Sequence, residues 1–235
     1  MNKKFFTLII TFAVIGGWIS AQGNIDSGDS TVPALTQEEL KIRGPLPDWR
    51  NSYSDTQVSS AVFAGGCFWG VEAVFEQIDG VLNVESGYSG GDADTASYKM
   101  VGTGTTGHAE AVEIIYDPEI ISYRKLLDVF FRFAHDPTQL NYQGPDHGSE
   151  YRSAVFFSNS EEKQIIEEMI EKLNKEKIYK QKIVTEITPL QAFYPAEDYH
   201  QDFLRLNPSY PYIVYWDIPK LIELQRVYPE LIAEE

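Results

Sequence analysis

The chain of 235 residues holds a single cysteine, and its surroundings are ones in which a thiol can react. Cys67 lies in Ala64-Gly65-Gly66-Cys67-Phe68-Trp69-Gly70. Ahead of it, Ala61, Val62 and Phe63 form a short apolar run suited to a buried strand. After it, Val71, Val74, Phe75 and Ile78 recur at helical spacing up to Gly80. The spacing therefore places Cys67 where a strand turns into a helix, with Gly65 and Gly66 permitting a tight backbone path. Unpaired N–H groups and the positive end of a helix dipole favour a thiolate there, and such settings lower a cysteine pKa from about 8.5 to roughly 3.5–7.5. The expectation is a nucleophilic thiol, with Phe68 and Trp69 lining an apolar pocket beside it. The plainer alternative is a small buried hydrophobe, the ordinary state of a lone cysteine.

A second reactive group is suggested by Gly107-His108-Ala109-Glu110, at the start of a strand that continues through Ala111 and Val112. Glu110 is either a solvated strand end or a general acid, and the second role requires an apolar pocket that keeps its carboxyl protonated near neutral pH. His108 reads as a surface or hydrogen-bonding residue. The stretch His135 to Ser153 is too long for a plain connection, and its Asp and aromatic content favours a site over a surface loop. His135-Asp136 and Asp146-His147 lack the spacing of a zinc site, so no metal is expected. Cys67 paired with one of the four histidines would make a thiol hydrolase, and nothing in the spacing selects which histidine.

These residues need a scaffold, and the composition supplies one. Apolar residues make up 43% and aromatic residues 13%, enough for one well-buried domain. Residues 1–21 open with Lys3-Lys4, run apolar from Phe5 to Ile19 and reach Ser20-Ala21. That is the pattern of a secretory signal peptide cut near Ala21, or of a short anchor if it is retained. Export to the periplasm or cell envelope is expected. The formal charge of −16 becomes −18 without the leader's two lysines (17 basic against 35 acidic residues), which disfavours nucleic acid and anionic membrane surfaces as partners. Residues 22–59 are rich in Ser, Asp, Gly and Pro and read as a linker with one helix start at Thr36-Gln37-Glu38-Glu39. Trp49 and Tyr53 are its expected docking points, and residues 60–235 form the domain.

Within that domain the pattern predicts a strand at about 60–64, the Cys67 helix, and strands over Val81–Tyr88 and Ala111–Tyr116. There follow a helix capped by Ser122, a strand over Arg152–Phe157, a charged helix from Ser160, a strand near Ile183–Ile187 and a last helix near Lys220–Tyr228. Strand, helix, strand, strand, helix, strand is the order of a ferredoxin-like two-layer α+β sandwich with a mixed sheet. The Pro- and aromatic-rich residues after Tyr194 are expected to wrap it.

The motifs also resemble a known family. Gly66-Cys67-Phe68-Trp69-Gly70, Gly87-Tyr88-Ser89-Gly90-Gly91, Gly107-His108-Ala109-Glu110-Ala111-Val112, His135-Asp136-Pro137-Thr138, the Gln143-Gly144 turn with Asp146 and Tyr151-Arg152-Ser153, and Ala196-Glu197-Asp198-Tyr199-His200-Gln201 are similar, in this order, to the peptide methionine sulfoxide reductase A family. The resemblance spans about residues 60–206. It implies that Cys67 attacks the sulfur of methionine S-sulfoxide, free or in proteins, and that Glu110 protonates the departing oxygen. By the same resemblance Tyr98 and Tyr151 bond that oxygen, Asp146 orients the substrate, Phe68 and Trp69 receive the S-methyl group, and no cofactor is used. Tyr142 and Pro145 stand where many members have arginine and asparagine.

Many members carry further cysteines that resolve the oxidised thiol, and here Cys67 has no such companion. Cysteine counting then requires an external thiol donor, a thioredoxin-like or glutaredoxin-like protein or a small thiol. The enzyme is expected as a monomer. Its rivals are the thiol hydrolase and a non-catalytic envelope binding module.

Overall fold

The computed structural model describes residues 36–55 and 57–234, so the expected leader over residues 1–21 and the linker residues 22–35 lie outside the described residues. Seven residues of β1 (Ser59–Gly65) lead into α1 (Phe68–Glu76), followed by β2 (Val81–Ser89), the short α2 (Tyr98–Val101) and β3 (Ala109–Tyr116). Then come α3 (Tyr123–Val129), a two-stranded ribbon of β4 (Tyr142–Gln143) and β5 (Asp146–His147), and β6 (Ser153–Phe157). The chain continues through α4 (Ser160–Lys175), β7 (Glu186–Pro189), β8 (Phe193–Pro195), α5 (Phe203–Leu206) and α6 (Ile218–Val227). Among the described residues no helix is long and apolar enough to cross a membrane.

The six-stranded sheet has the order β7-β6-β1-β3-β2-β8. Its four middle strands, β6-β1-β3-β2, are mutually antiparallel and are joined as β-α-β-β-α-β, so the expected ferredoxin-like sandwich is what forms. β7 extends it in parallel beside β6 and β8 in antiparallel beside β2, which makes the sheet mixed. Alternation divides the two faces. Ala61 and Phe63 of β1 join the main core beneath the helices, while Val62 and Ala64 join a smaller cluster with Ala109, Ala111, Ala154 and Phe156 on the other face. Phe63 packs against Phe75 and Phe130 at ring-centroid distances of 5.7 and 5.0 Å. Burying one such ring stabilises the fold by about 1.5–3 kcal/mol relative to exposure.

Local signals account for most boundaries. Ser122 caps α3 by accepting from the Lys125 N–H at 3.3 Å. The helix then widens into a π turn at Phe130–Ala134, which aims Phe130, Phe131 and Phe133 into the core before His135 breaks it. α4 buries Ile166, Met169 and Leu173, and its cap is Asn159, one residue before the expected start. The Thr36–Glu39 helix start closes a single turn only, with Thr36 N–H and hydroxyl both bonded to Glu39. The linker does lie on the domain; Trp49 and Tyr53 are half-buried, with the Trp49 indole nitrogen out of solvent. Leu40, Ile42 and Leu46 pack on the core, and the Arg43 guanidinium donates to the Glu76 and Ile78 carbonyls at 3.2 and 3.1 Å. The C-terminal segment wraps α1 with α5, a π turn at Ile213–Asp217, and α6.

α1 itself is unusual because it buries two carboxyls, Glu72 and Glu76, beside Asp202. Burial raises Glu72 to about 8, and burial with the Glu72 charge raises Glu76 to about 9. Each folded value lies above the unfolded one of 4.5, so the native state holds protons that the unfolded chain releases. Their contribution to stability is complete below that value and is lost as pH rises through about 9. Thermal unfolding followed by circular dichroism is expected to show a midpoint that declines from pH 5 to pH 9, more gently in the Glu72→Gln, Glu76→Gln double variant. Equal slopes in the two proteins would contradict this.

Candidate active site

Gly66 has φ +87°, and a Cβ there would meet the Gln143 side chain at 2.5 Å. The diglycine thus serves two ends: it turns the chain from β1 into α1 and lets the long loop lie against the turn. Gln143 is locked in that position, accepting from the Asp136 N–H at 3.2 Å and donating to the Asp136 carbonyl at 3.1 Å. Cys67 occupies the N-cap of α1, 9% exposed.

Glu110, the second residue of β3, comes up beside it. Its carboxylate oxygen accepts from the Phe68 N–H at 3.1 Å, the first amide of the helix that Cys67 begins. Burial raises the carboxyl to about 8 against the lowering pull of that amide, and the Asp146 and Glu150 charges raise it further. Glu110 is therefore mostly protonated at pH 7, as the acid role requires.

The thiol departs from expectation. Burial, then the charges of Glu110 and Asp217, push Cys67 well above its ordinary value instead of lowering it, with the Trp69 amide opposing and Asp146 adding to the rise. The physical reason is that the helix N-terminus that was to favour a thiolate spends its first amide on Glu110, that the carboxyls of Glu110, Asp217 and Asp146 act on the sulfur, and that the nearby Lys220 is paired to Asp217. In the resting site the thiol keeps its proton.

The other expected residues gather around this pair. Tyr98 is 41% exposed at the start of α2, and Tyr151 ends a 3-10 turn just before β6. Burial comes first and the charges of Glu110, Cys67 and Asp146 follow in raising both hydroxyls, so both remain donors. Asp146 accepts a short bond from the Tyr212 hydroxyl, and burial raises it against that bond and Lys220. Phe68 is fully buried against Tyr88 and His200, at 5.9 and 4.9 Å. Trp69 is stacked on Phe203 at 3.8 Å with Tyr212 edge-on at 6.0 Å. Tyr142 stacks on His147 and Pro145 lines a small cavity beside the thiol, with room for about one water and with Tyr212, Trp216 and Lys220 on its walls.

Several supporting residues had no role assigned from sequence. Glu197 accepts from the Tyr88 hydroxyl at 2.9 Å and from the Tyr98 amide at 3.0 Å, which fixes the Tyr98 backbone. Arg152 ties the loop ahead of β3 to the site by donating to the Gly107, His108 and Ser149 carbonyls. Asp217 and Lys220 form a buried pair at 3.0 Å against Gly70, where a Cβ would lie 2.0 Å from the Asp217 oxygen. Opposite charges three apart in an apolar segment were the one signal for that pair. Tyr212 gave none.

All four histidines have other work. His108 bonds Gly91 and Asp92, His135 bonds the Phe130 carbonyl and the Ser153 hydroxyl, His147 stacks on Tyr142, and His200 accepts from Trp69. Burial pushes His135 down to about 3, so it stays neutral. A Cys–His hydrolase finds no support in these positions.

A ferredoxin-like sandwich with a thiol at a helix start and a buried carboxyl bonded to the next amide has the parts of a cysteine-dependent enzyme. Residues 59–230 match the family model described as peptide methionine sulfoxide reductase, and the chain belongs to that family. It is 56% identical over 176 residues to "Peptide methionine sulfoxide reductase MsrA 2" of Mesorhizobium japonicum, covering 75% of this chain and 90% of that protein. Among solved structures it is similar to reduced Mxr1 from Saccharomyces cerevisiae, with TM-score 0.63, 36% identity and coverage of 67% of this chain and 90% of that one. It is also similar to methionine sulfoxide reductase A of Corynebacterium diphtheriae, with TM-score 0.57, 30% identity and coverage of 75% and 92%.

Proposed function

We propose that the chain reduces methionine S-sulfoxide, free or in proteins, with Cys67 as nucleophile and Glu110 as acid. The observation that carries this reading is a carboxyl protonated near pH 7 and bonded to the amide beside the thiol. The Cys67 sulfur attacks the sulfoxide sulfur while the Glu110 proton passes to its oxygen, which Tyr98 and Tyr151 hold by hydrogen bonds. The S–O bond breaks and the hydroxyl passes to the Cys67 sulfur as the transient S–S bond opens, its electron pair returning to the methionine sulfur; the thiol proton replaces the one Glu110 gave up, and the products are methionine and a Cys67 sulfenic acid. A neutral acid is needed because an unprotonated oxygen dianion is a hopeless leaving group. Phe68 and Trp69 receive the S-methyl group and Asp146 orients the rest.

Two external thiols then return Cys67 to its reduced state, releasing water and a disulfide. The first forms a mixed disulfide and the second displaces it. A thioredoxin-like or glutaredoxin-like protein or a small thiol fits this step, because residue 67 is the only cysteine in the sequence. The signal pattern of residues 1–21 supports export ahead of a 60–235 catalytic domain, and N-terminal sequencing of the exported protein tests the cut near Ala21. We read the working unit as a monomer, which analytical ultracentrifugation tests.

The deciding experiment supplies the two separated sulfoxide epimers with and without dithiothreitol. With reductant, the S epimer is expected to turn over and the R epimer not. Without it, intact-mass measurement is expected to show one added oxygen on the protein after a single turnover. Turnover that ignores reductant would favour the hydrolase instead, and absence of both turnover and added oxygen would favour the binding module.

A further inference from the structure

His200 lies in the turn before α5 and is 2% exposed. Its Nδ1 accepts from the Trp69 indole N–H at 3.2 Å. An indole nitrogen is a donor only, so Nδ1 carries no proton, and the neutral ring must hold its proton on Nε2. That Nε2 is buried with no hydrogen-bond partner. The ring also packs against Phe68 at 4.9 Å and against Tyr98 at 4.5 Å, so one imidazole touches three residues of the site.

The stack of Trp69 on Phe203 fixes the plane of the indole, and Tyr210 and Tyr212 pack edge-on against it at 6.3 and 6.0 Å. The bond to His200 adds a directional contact that sets the rotation of the indole within that plane. We propose that His200 is a positioning residue: its neutral ring holds the Trp69 indole in register for the substrate's S-methyl group, and charging of that ring in acid releases the indole and weakens substrate capture. The inference rests on the proposed function in taking Trp69 as part of the substrate pocket.

The groups around the ring decide the sign. Glu197 from the same turn favours the charged ring, while Tyr199 and Tyr98 contribute hydroxyls that keep their protons. Tyr88 reaches Glu197 from β2, and Phe68 and Trp69 bring no charge. Burial outweighs Glu197 and lowers the His200 pKa, so the ring is neutral at pH 7 and charges only in acid. Once charged, Nδ1 would present a second donor to the indole N–H, and the bond is lost.

The test joins kinetics to a direct view of the bond in the full chain. Nuclear magnetic resonance of the ¹⁵N-labelled protein, with the Trp69 indole N–H identified from the Trp69→Phe variant, is expected to show that resonance titrating in acid below the ordinary histidine value of about 6.5. KM for the sulfoxide is expected to rise about tenfold through the same midpoint, the size of one lost hydrogen bond. His200→Phe, which keeps a ring but no acceptor, should raise KM about tenfold at pH 7, with the loss carried by KM rather than kcat. His200→Gln, which restores an acceptor, should recover most of that loss and remove the acid rise. A wild-type KM in His200→Phe would overturn the proposal, as would an indole resonance that does not titrate. Should His200→Phe fail to fold, the acid profile of His200→Gln decides: an unchanged acid rise overturns the proposal. A wild-type protein inert to every sulfoxide would overturn the proposed function, while the indole titration separately reports whether His200 holds Trp69.

Discussion

Replacing Glu110 by glutamine is expected to lower kcat/KM for methionine S-sulfoxide by about 10²- to 10⁴-fold at pH 7, the usual worth of a positioned general acid. Glutamine keeps the shape and still accepts from the Phe68 amide, so the loss isolates the proton. The pH dependence gives the sign. The acid must be protonated to act, so wild-type activity should be high below about 8 and fall as pH rises through it, while the variant should lack that alkaline limb. Above about pH 8, where Glu110 is ionised, its charge is also the second cause holding the Cys67 thiol up, after burial. Removing it should lower the thiol's pKa, so iodoacetamide should modify Cys67 in the variant at least as fast as in the wild type. A variant rate within threefold of wild type, with the same alkaline limb, would remove Glu110 from the acid role.

Lys220→Met is expected to cost about 3–5 kcal/mol of folding stability, measured by urea unfolding at pH 7. Lys220 and Asp217 meet at 3.0 Å with side chains 4% and 0% exposed, so the lysine charge is what makes the buried aspartate tolerable. Burial already raises Asp217, and the two interactions with Lys220 are what lower it. Without the lysine, Asp217 must bind a proton to remain inside, and the second of its oxygens already lacks a partner. Removing both charges is a different matter: Lys220→Met with Asp217→Leu should recover most of the loss, because a buried pair replaced by apolar groups is often neutral. A single variant as stable as wild type would show that the pair contributes little.

The sandwich was legible because its signals are local. Val112, Ile114 and Tyr116 alternate as a half-buried strand does, and they lie in β3. Gly65-Gly66 ahead of an apolar helical repeat placed Cys67 at a helix start, where it stands. Glu110 was legible as a candidate acid from its strand, and its neighbour Phe68 holds it by an amide rather than only by an apolar wall. The thiol's acidity was misread because what decides it is not local: burial in the folded domain comes first, and Glu110, 42 residues beyond Phe68, takes the helix amide. Distance along the chain hid His200 and Glu197 too, since each acts on a partner about a hundred residues earlier or more. Tyr98 could be placed only by family resemblance, as a lone tyrosine at the start of a four-residue helix carries no signal of its own. In the linker, the large rings of Trp49 and Tyr53 stood out in sequence, while the packing of the smaller Leu40, Ile42 and Leu46 on the core carried no signal of its own.

The wall of the cavity beside Cys67 comes partly from Tyr212, Trp216 and Lys220, which the ribosome adds long after the thiol itself. Domains are made from the N-terminal end at about 5–20 residues per second, so a nascent chain carries Cys67 for several seconds before its enclosure exists. During that interval the sulfur is an ordinary side chain, open to whatever oxidant or thiol is near. The enclosure of Cys67 is accordingly among the last features completed as this polypeptide is made.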